Sequence, residues 1–509
     1  MSIEPQQHEA PVVTSPRDQG LAVALSSAAW FRSALERLTR RAALSAFLLG
    51  LLGGLAVAFL LQGPKPFYGD SGGYWALAET FTHHGSFSLT NFTSPVRGYA
   101  LPLMIYVLRA FGDAVQWTPS ALVKIFNVTL VALIGGVLAP RLAEITWPET
   151  RWSLPRRVGL TALFLIFWSG YLSYPLTDLP GLALGLASLV MVASSDNPWM
   201  MLAAGLAGGA AVNLRPAYLI FAPMLLVIVG LKWLGERGSE HALLRRRVFC
   251  VTMLVLGFAA VSLPQSLATH RHFGSYSFIP GGPAHLTEEQ LQAGILLRRY
   301  DTYVTPAGGA FPMNYWDRSG VNLLLARPII KFTGVGGKPE EQFTITKITS
   351  VGQYAELLIE HPGFMAGLAA QHIINGLDMR YSTVYVEHIE SGGKLWLRLA
   401  GFLLVFLALA RIMWPAARRS LGRARWRYAI ALALCSATSA SSAIEIRYML
   451  PIWTLVYLLV LAPAWPRPVQ ASVQGVGRYR TSAVLLVGYL AFMALAWQVV
   501  AKATALIAG

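Results

Sequence analysis

The stretch FYGDSGGYW, residues 67–75, contains residue types that could do chemistry, because GDSGG surrounds the reactive serine in one class of serine protease. That chemistry needs a histidine base that is oriented by an aspartate. In that class both residues precede the serine, but the only histidine before Ser71 here is His8, in a polar N-terminal tail that a long apolar segment separates from Ser71. The sequence therefore excludes this protease. Asp70 remains as a carboxylate that can accept a proton from an attacking hydroxyl group.

Asp70 also has a structural alternative. Asp and Ser are preferred N-caps, so either Asp70 or Ser71 can satisfy the free backbone N–H groups at the start of a short helix predicted over 71–82. The two roles are compatible if Ser71 caps the helix and Asp70 points away from it.

A second carboxylate and an arginine stand at tight turns between apolar segments. Asp178, in SYPLTDLP, precedes Pro180, which suits the first turn of a helix. We interpret Asp178 either as an N-cap or as a second carboxylate of the same cavity. Arg215, in NLRPAYLI, suits phosphate recognition because a guanidinium group offers five donors. Its structural alternative is a side chain that extends to the membrane surface.

Two further motifs carry candidate ligand-binding residues. Arg447, in SAIEIRYMLPIW, repeats the pattern of an arginine at a turn, and Glu445 is its alternative, structural partner. The run HRHFG adds His270 and Arg271, although histidines in loops are usually solvated.

The composition is that of a membrane protein. Of the 509 residues, 55% are hydrophobic and 13% are charged, which is too apolar for an ordinary soluble domain. The formal net charge is +16, but the basic residues cluster between apolar runs, which argues against a nucleic-acid partner. Cys250 and Cys435 lie in apolar runs without metal-ligand spacing, so the sequence predicts neither a disulfide nor a metal site.

Apolar runs long enough to cross a bilayer recur along the chain. We predict about eleven transmembrane helices, at 42–62, 119–140, 158–175, 177–195, 199–214, 216–232, 248–265, 397–414, 428–446, 448–465 and 482–506. Arginine clusters then fall in alternate connections, which predicts a cytoplasmic N-terminus. Gly98–Phe111 is apolar but short and contains Pro102 and Arg109, so we predict a helix that lies on the outer membrane surface.

The predicted fold is an all-α polytopic membrane protein with a small extracytoplasmic insertion. Its parts are a cytoplasmic tail and basic helix (1–41), an N-terminal transmembrane catalytic module (42–263) with a first extracytoplasmic loop (63–118), an extracytoplasmic segment (264–396) and C-terminal transmembrane helices (397–509). In this topology Asp70, Asp178, Arg215 and Arg447 all fall on the outer face.

Together these motifs resemble the GT-C superfamily of polytopic glycosyltransferases. The resemblance is to the bacterial branch that is similar to protein O-mannosyltransferases, lipid A aminoarabinose transferases and RgtA/B/C/D-like enzymes. GDSGGYWALAETFTHHGSFS, with Asp70 and Tyr74, resembles the first-loop pattern of that family. SPVRGYALPLMIYVLRAFG, with Arg97, is similar to its Arg-Pro-Pro-Gly-Tyr-Pro segment, without the double proline. SYPLTDLPGLAL, NLRPAYLI, HRHFGSYSFIP, HPGFMAGLAAQHIING and RYMLP follow in the order of the family.

The resemblance implies an inverting transferase that moves a sugar from a polyprenyl-phosphate donor to a glycolipid, polysaccharide or protein acceptor. The reaction is expected on the periplasmic face of a bacterial inner membrane. Asp70 is expected to be the general base, and Arg215 and Arg447 are expected to stabilise the phosphate. The further substrate-binding residues expected are Asp178, Tyr74, Arg97, His270 and Arg271.

The resemblance leaves the cofactor and the reaction partly open. Many relatives have two adjacent acidic residues where this chain has Asp70 and Ser71, so a divalent metal at this loop is not supported. One alternative function is an oligosaccharide ligase or polymerase. Another is a transporter or flippase of lipid-linked sugars, for which inverted repeats and charges near the bilayer midplane are expected.

Overall fold

The computed structural model describes residues 41–94, 96–147, 151–235, 240–280, 290–305, 308–317, 348, 350–389, 393–413, 430, 434, 441–442, 444–462 and 476–507. The predicted cytoplasmic tail and basic helix, except for Arg41, lie outside the described residues, as does most of the predicted span 428–446.

The chain is mainly helical. The helices and strands follow in the order α1 (Arg41–Leu60), α2 (Gly69–Leu77), α3 (Ala100–Val115), α4 (Pro119–Leu133), α5 (Ala139–Thr146), α6 (Leu154–Trp168), α7 (Asp178–Ser194), α8 (Pro198–Leu214), α9 (Phe221–Gly235), α10 (Glu240–Phe273), α11 (Ala293–Leu296), β1 (Arg299–Val304), β2 (Ala310–Asp317), α12 (Val351–Glu360), α13 (Pro362–Leu377), β3 (Tyr385–Val386), α14 (Leu395–Met413), α15 (Leu450–Leu461), α16 (Val476–Lys502) and β4 (Ala503–Ile507). A π-helical turn joins α4 to α5, and 3₁₀ turns include Ala78–Gly85 and Ile446–Met449.

The helices identify a helical membrane protein. Among the described residues, five helical segments are long and apolar enough to cross a bilayer: Arg41–Leu60, Pro119–Thr146, Arg245–Phe273, Leu395–Met413 and Val484–Lys502. Shorter apolar helices are Asp178–Ser194, Pro198–Leu214, Pro216–Gly230 and Ile446–Leu461. Helices thus occupy each predicted span that the described residues cover, while length and composition qualify five of them as crossing a membrane.

Glycines bring α8 and α10 into close contact. A Cβ atom on Gly205 of α8 would overlap the carbonyl oxygen of Leu254 of α10, and one on Gly257 would overlap the carbonyl oxygen of Leu202. Small residues at such a crossing allow two helix backbones to touch. The close contact holds the first half of α8, whose C-terminal end leads into Arg215, against α10.

The all-α prediction needs a correction, because the chain also forms a small sheet with the strand order β3-β1-β2-β4. β2 pairs antiparallel with both β1 and β4, and β3 pairs parallel with β1. Three of the strands come from the predicted segment 264–396 and the fourth follows α16. The last predicted span therefore ends at Lys502, since an apolar run at residues 503–507 forms a strand that hydropathy cannot distinguish from helix.

The first predicted extracytoplasmic loop contains two helices. The predicted helix 71–82 begins earlier, at Gly69, and tightens into a 3₁₀ turn after Leu77. α3 occupies the segment predicted to lie on the membrane surface. One of its faces packs against Leu214, and the opposite face exposes Val107 and Phe111.

Candidate active site

Asp70 lies in the first turn of α2, which Gly69 begins with a φ of +44° that suits glycine. The predicted capping role is wrong for both Asp70 and Ser71, because the N-cap residue is Tyr68 and no side chain caps the helix. The Oγ atom of Ser71 instead donates to the carbonyl oxygen of Tyr68 at 2.7 Å. The backbone N–H of Ser71 donates to the hydroxyl oxygen of Tyr385 at 3.0 Å. These two bonds fix the start of α2 and leave the Asp70 side chain to other partners.

Two arginines bind the Asp70 carboxylate, one at each oxygen. Nη2 of Arg97 lies 2.6 Å from Oδ1, and Nη2 of Arg447 lies 2.8 Å from Oδ2. The Asp70 side chain is 39% exposed, whereas that of Arg447 is 11% exposed. A partly exposed carboxylate is therefore held by one buried and one more accessible guanidinium group.

Arg447 also binds a second carboxylate. Its Nε atom lies 2.5 Å from Oε2 of Glu445, whose side chain is 2% exposed. The ion pair that the structural alternative predicted is present, together with the contact to Asp70. Because a buried charge is costly without a partner, Glu445 stabilises Arg447 in this position.

A second ion pair joins the predicted turns of Asp178 and Arg215. Asp178 is 1% exposed and begins α7 without a side-chain cap bond, so its predicted capping role is wrong. The Arg215 side chain is 11% exposed, so it does not extend outward as the surface alternative predicted. The two turns therefore form one buried contact between the start of α7 and the end of α8.

Tyr448 connects the two ion pairs. The guanidinium carbon of Arg215 lies 4.3 Å from the centre of the Tyr448 ring, and that of Arg447 lies 5.8 Å from it. The Tyr448 hydroxyl group shares a 2.7 Å hydrogen bond with that of Tyr300. Two guanidinium groups thus flank one aromatic ring, as cation–π contacts favour.

The charges of this cluster balance. Three positive groups (Arg97, Arg215 and Arg447) pair with three negative groups (Asp70, Asp178 and Glu445). The sequence predicted arginines available to a phosphate group, but the structure pairs each of them with a carboxylate. An anionic ligand must therefore compete with a carboxylate for a guanidinium group, or arrive together with a proton.

The arginines decide the protonation state of Asp70. Burial by itself raises the pKa of Asp70, but the charges and hydrogen bonds of Arg447 and Arg97 outweigh it and lower the pKa from 3.8 to about 2. Asp70 is therefore ionised at neutral pH. Tyr74 lies beneath Arg97, with 4.8 Å between the guanidinium carbon and the ring centre, and burial and the charge of Asp70 raise its pKa. The Tyr74 hydroxyl group accordingly keeps its proton.

Backbone contacts set the position of Arg97. A Cβ atom on Gly73 would overlap Nη1 of Arg97, so the absence of a side chain on α2 lets the guanidinium group reach Asp70. The next residue, Gly98, lies so close to Asn213 that a Cβ atom there would overlap the Asn213 carbonyl oxygen. Oδ1 of Asn213 also accepts a 2.8 Å hydrogen bond from the N–H of Ala100. Arg97 is therefore anchored to the end of α8.

An open groove of about 520 Å³ lies beside Arg97. Its walls include Ala76 and Leu77 of α2 and Val96 of the following loop, and Arg97 itself contributes to the lining. The same side chain thus lines the groove and binds Asp70.

The structure does not bring His270 and Arg271 into this cluster. Both lie in the last turn of α10, which extends beyond the predicted span, rather than in a loop. The contacts of this turn are with Thr90, which accepts a 2.9 Å hydrogen bond from Nη1 of Arg271, and with Tyr276, on which His270 stacks. Their predicted role in substrate binding has no support from these contacts.

Several residues of the cluster were missed by sequence reasoning. Tyr448 directly follows Arg447, so its proximity was a usable signal, whereas no pattern linked Tyr300 or Tyr385 to residues far away in the chain. Within the described part of the chain, no group of three or more His, Cys, Asp or Glu side chains is placed to hold a metal ion.

No protein-family model matches the chain, and no curated protein matches it.

Proposed function

We propose that this protein is an inverting glycosyltransferase of the membrane. It uses a polyprenyl-phosphate sugar as the donor and a glycolipid, polysaccharide or protein as the acceptor. The observation that carries the proposal is the ionised, partly exposed carboxylate of Asp70, held beside the buried guanidinium group of Arg447. A base next to a phosphate-binding group is the pair that such a transfer needs.

Asp70 acts as the general base. It accepts the proton of the acceptor hydroxyl group while the acceptor oxygen forms a bond to the anomeric carbon of the sugar. The bond between that carbon and the phosphate oxygen breaks on the opposite face, and its electron pair leaves with the polyprenyl phosphate. Attack from the face opposite to the leaving group inverts the anomeric configuration.

Arg447 couples these two events. As Asp70 takes up the proton, it loses the negative charge that holds Arg447. The leaving phosphate gains negative charge in the same step, so Arg447 is attracted from the carboxylate to the phosphate. Arg215, which also contacts the Tyr448 ring, adds a second guanidinium group for the phosphate. A stable phosphate leaving group requires no general acid.

The proposed setting is a bacterial inner membrane with about eleven transmembrane helices, a cytoplasmic N-terminus and a periplasmic site. Support comes from the arginine clusters in alternate connections and from the position of the site at helix ends: Asp178 starts α7 and Arg215 follows α8. Labelling of single cysteines by an impermeant reagent in intact cells tests the orientation. A cysteine that replaces Asp113 is expected to react without cell lysis. Reaction only after lysis would contradict the periplasmic site.

The activity is tested with purified protein in nanodiscs, radiolabelled polyprenyl-phosphate sugars and a membrane-lipid extract. We expect transfer by the wild type and none by Asp70→Asn. Asp113→Asn is the matched control, because Asp113 is an exposed carboxylate on α3. Wild-type turnover by a folded Asp70→Asn protein would remove the proposed base.

The remaining outcomes address the alternatives. Transfer of only long, preassembled glycans would indicate a ligase or polymerase. No transfer from any donor by the folded wild type, together with movement of labelled donor across vesicle membranes, would indicate a transporter or flippase.

A further inference from the structure

The groove beside Arg97 runs along the face of α2 that carries Asp70. Gly73 and Leu77 line it, and they follow Asp70 at the spacing that places residues on one side of an α-helix. A ligand in the groove therefore lies along the same side of α2 as the proposed base.

The walls of the groove combine apolar side chains with three hydroxyl-bearing residues. Ala76, Leu77 and Val96 present apolar side chains. The hydroxyl group of Thr80 donates to the carbonyl oxygen of Leu77 at 2.8 Å, and Oγ of Ser94 accepts from the N–H of Arg97 at 3.1 Å. The O–H of Thr80 is thus used within the protein, whereas Ser94 is used only as an acceptor and Thr93 adds a third lining hydroxyl group. A volume of about 520 Å³ with these walls suits an alkyl chain.

Asp70 can be approached from two different sides. Arg97, on the groove side, binds Oδ1, whereas Arg447 binds Oδ2 and lies near the Tyr448 ring, which Arg215 also contacts. The side with two guanidinium groups suits the phosphate of a donor. The groove side offers one guanidinium group and apolar walls, which suit a second ligand with an apolar part and one negative charge.

We propose that the groove binds the acceptor, and that the acceptor is an anionic lipid with a hydroxyl group in its head group. This inference rests on the proposed function. The apolar part of the lipid lies on Ala76, Leu77 and Val96. Its anionic group, a phosphate or carboxylate, pairs with Arg97 and draws it away from Oδ1 of Asp70. The hydroxyl group then takes the place of Arg97 at this oxygen and donates its proton there.

Charge complementarity supports this occupant. Removal of Arg97 from Asp70 leaves a guanidinium group without its counter-ion, and an anion on the arriving ligand restores the balance. Loss of this guanidinium group also makes Asp70 a stronger base, because a nearby positive charge lowers the proton affinity of a carboxylate. The acceptor thereby activates its own base, and the unoccupied site holds Asp70 in a weakly basic state that limits attack by water.

The groove is tested first without turnover. The wild type in nanodiscs is photolabelled with diazirine-tagged phosphatidylglycerol, which carries a phosphate and hydroxyl groups, and with diazirine-tagged phosphatidylcholine, which has no net charge. Mass spectrometry locates the label. We expect phosphatidylglycerol to label residues 73–97 and Ala76→Trp to lower this labelling about tenfold. Ala110→Trp, at an exposed position of α3, is the matched control.

Two labelling results would overturn the proposal. Equal labelling of residues 73–97 by both lipids would show that the groove does not select an anionic hydroxylated lipid. Displacement of the label by polyprenyl phosphate would show that the groove holds the donor chain instead.

Kinetics then separate this inference from the proposed function. In the transfer assay, Ala76→Trp is expected to raise the KM for the acceptor lipid about tenfold while the KM for the donor stays within about twofold of the wild type. An unchanged acceptor KM would overturn the proposal that the groove binds the acceptor and would leave the proposed glycosyltransferase activity unaffected. A folded wild type that binds phosphatidylglycerol but consumes no donor would overturn the glycosyltransferase and leave only a lipid site.

Discussion

Nη2 of Arg447 lies 2.8 Å from Oδ2 of Asp70, although 377 positions separate the two residues in the chain. The contact joins the first turn of α2 to the 3₁₀ turn that precedes α15. It therefore ties the first predicted extracytoplasmic loop to a late apolar helix, and the site exists only when both parts are assembled.

Arg447→Gln is expected to abolish transfer and to destabilise the fold. The change leaves Glu445 buried without its partner, which costs about 3–5 kcal/mol for a buried ion pair. Thermal unfolding in nanodiscs and the transfer assay measure the two effects. The double variant Arg447→Gln/Glu445→Gln removes both charges and is expected to regain most of the lost stability without regaining transfer. Wild-type transfer by this double variant would show that Arg447 does not act on the donor.

The stability that Asp70 contributes to the fold is expected to decrease at acidic pH. Since the folded pKa of about 2 lies below the ordinary value of 3.8, ionised Asp70 stabilises the fold above about pH 4, and this stabilisation is lost as the pH falls toward 2. The Tm difference between the wild type and Asp70→Asn should thus be constant from about pH 7 to 4 and should shrink below. In an Arg97→Gln background the decrease should be smaller and should end at a higher pH, because the folded pKa of Asp70 then lies closer to 3.8. A difference that already declines near neutrality would contradict the lowered pKa.

Gly73→Ala is expected to push Arg97 away from Asp70, because the new Cβ atom would overlap the guanidinium group. The predicted result is a change in transfer rate of about the same size as that of Arg97→Gln. The double variant should be no worse than Arg97→Gln alone, since both changes break one contact. Gly53→Ala is the matched control, because a Cβ atom at Gly53 of α1 meets nothing within 4 Å. Additive effects of Gly73→Ala and Arg97→Gln would show that the two residues act independently and would contradict the shared contact.

Arg215→Lys keeps the charge but loses the planar group that stacks on Tyr448. We expect the donor KM to rise by about tenfold and the acceptor KM to change little. Arg271→Lys provides the comparison, because Arg271 contacts Thr90 and is exposed. An equal effect of the two variants on the donor KM would place Arg271 back among the substrate-binding residues.

The sequence predicts the helices well where a continuous apolar run decides the structure, as in α1 and α14. The sequence-based prediction fails where hydropathy does not determine the conformation. α10 continues through the polar residues up to Phe273, and the apolar residues 503–507 form a strand. Hydropathy reports whether a segment prefers water or an apolar environment. It does not report whether the segment pairs with a strand such as β2.

The same division holds for the candidate site. The pattern of Asp70, Arg215 and Arg447 at the ends of apolar segments was sufficient to single them out. Their pairing was not predictable, because it depends on which helix ends meet in space. Capping was predicted for Asp70 and Asp178 from local preference alone, and distant arginines displaced that local role.

The position of β4 after α16 has a consequence for the order in which the protein can be built. β2 can pair with β1 as soon as both have emerged, but its other edge waits for β4, which is synthesised after α16. The sheet also holds β3, whose Tyr385 braces the start of α2 at Ser71. The sheet that contains Tyr385 is thus completed only after α16 has been made. A chain that ends before β4 therefore leaves one edge of β2 unpaired in the sheet whose β3 strand braces the start of α2.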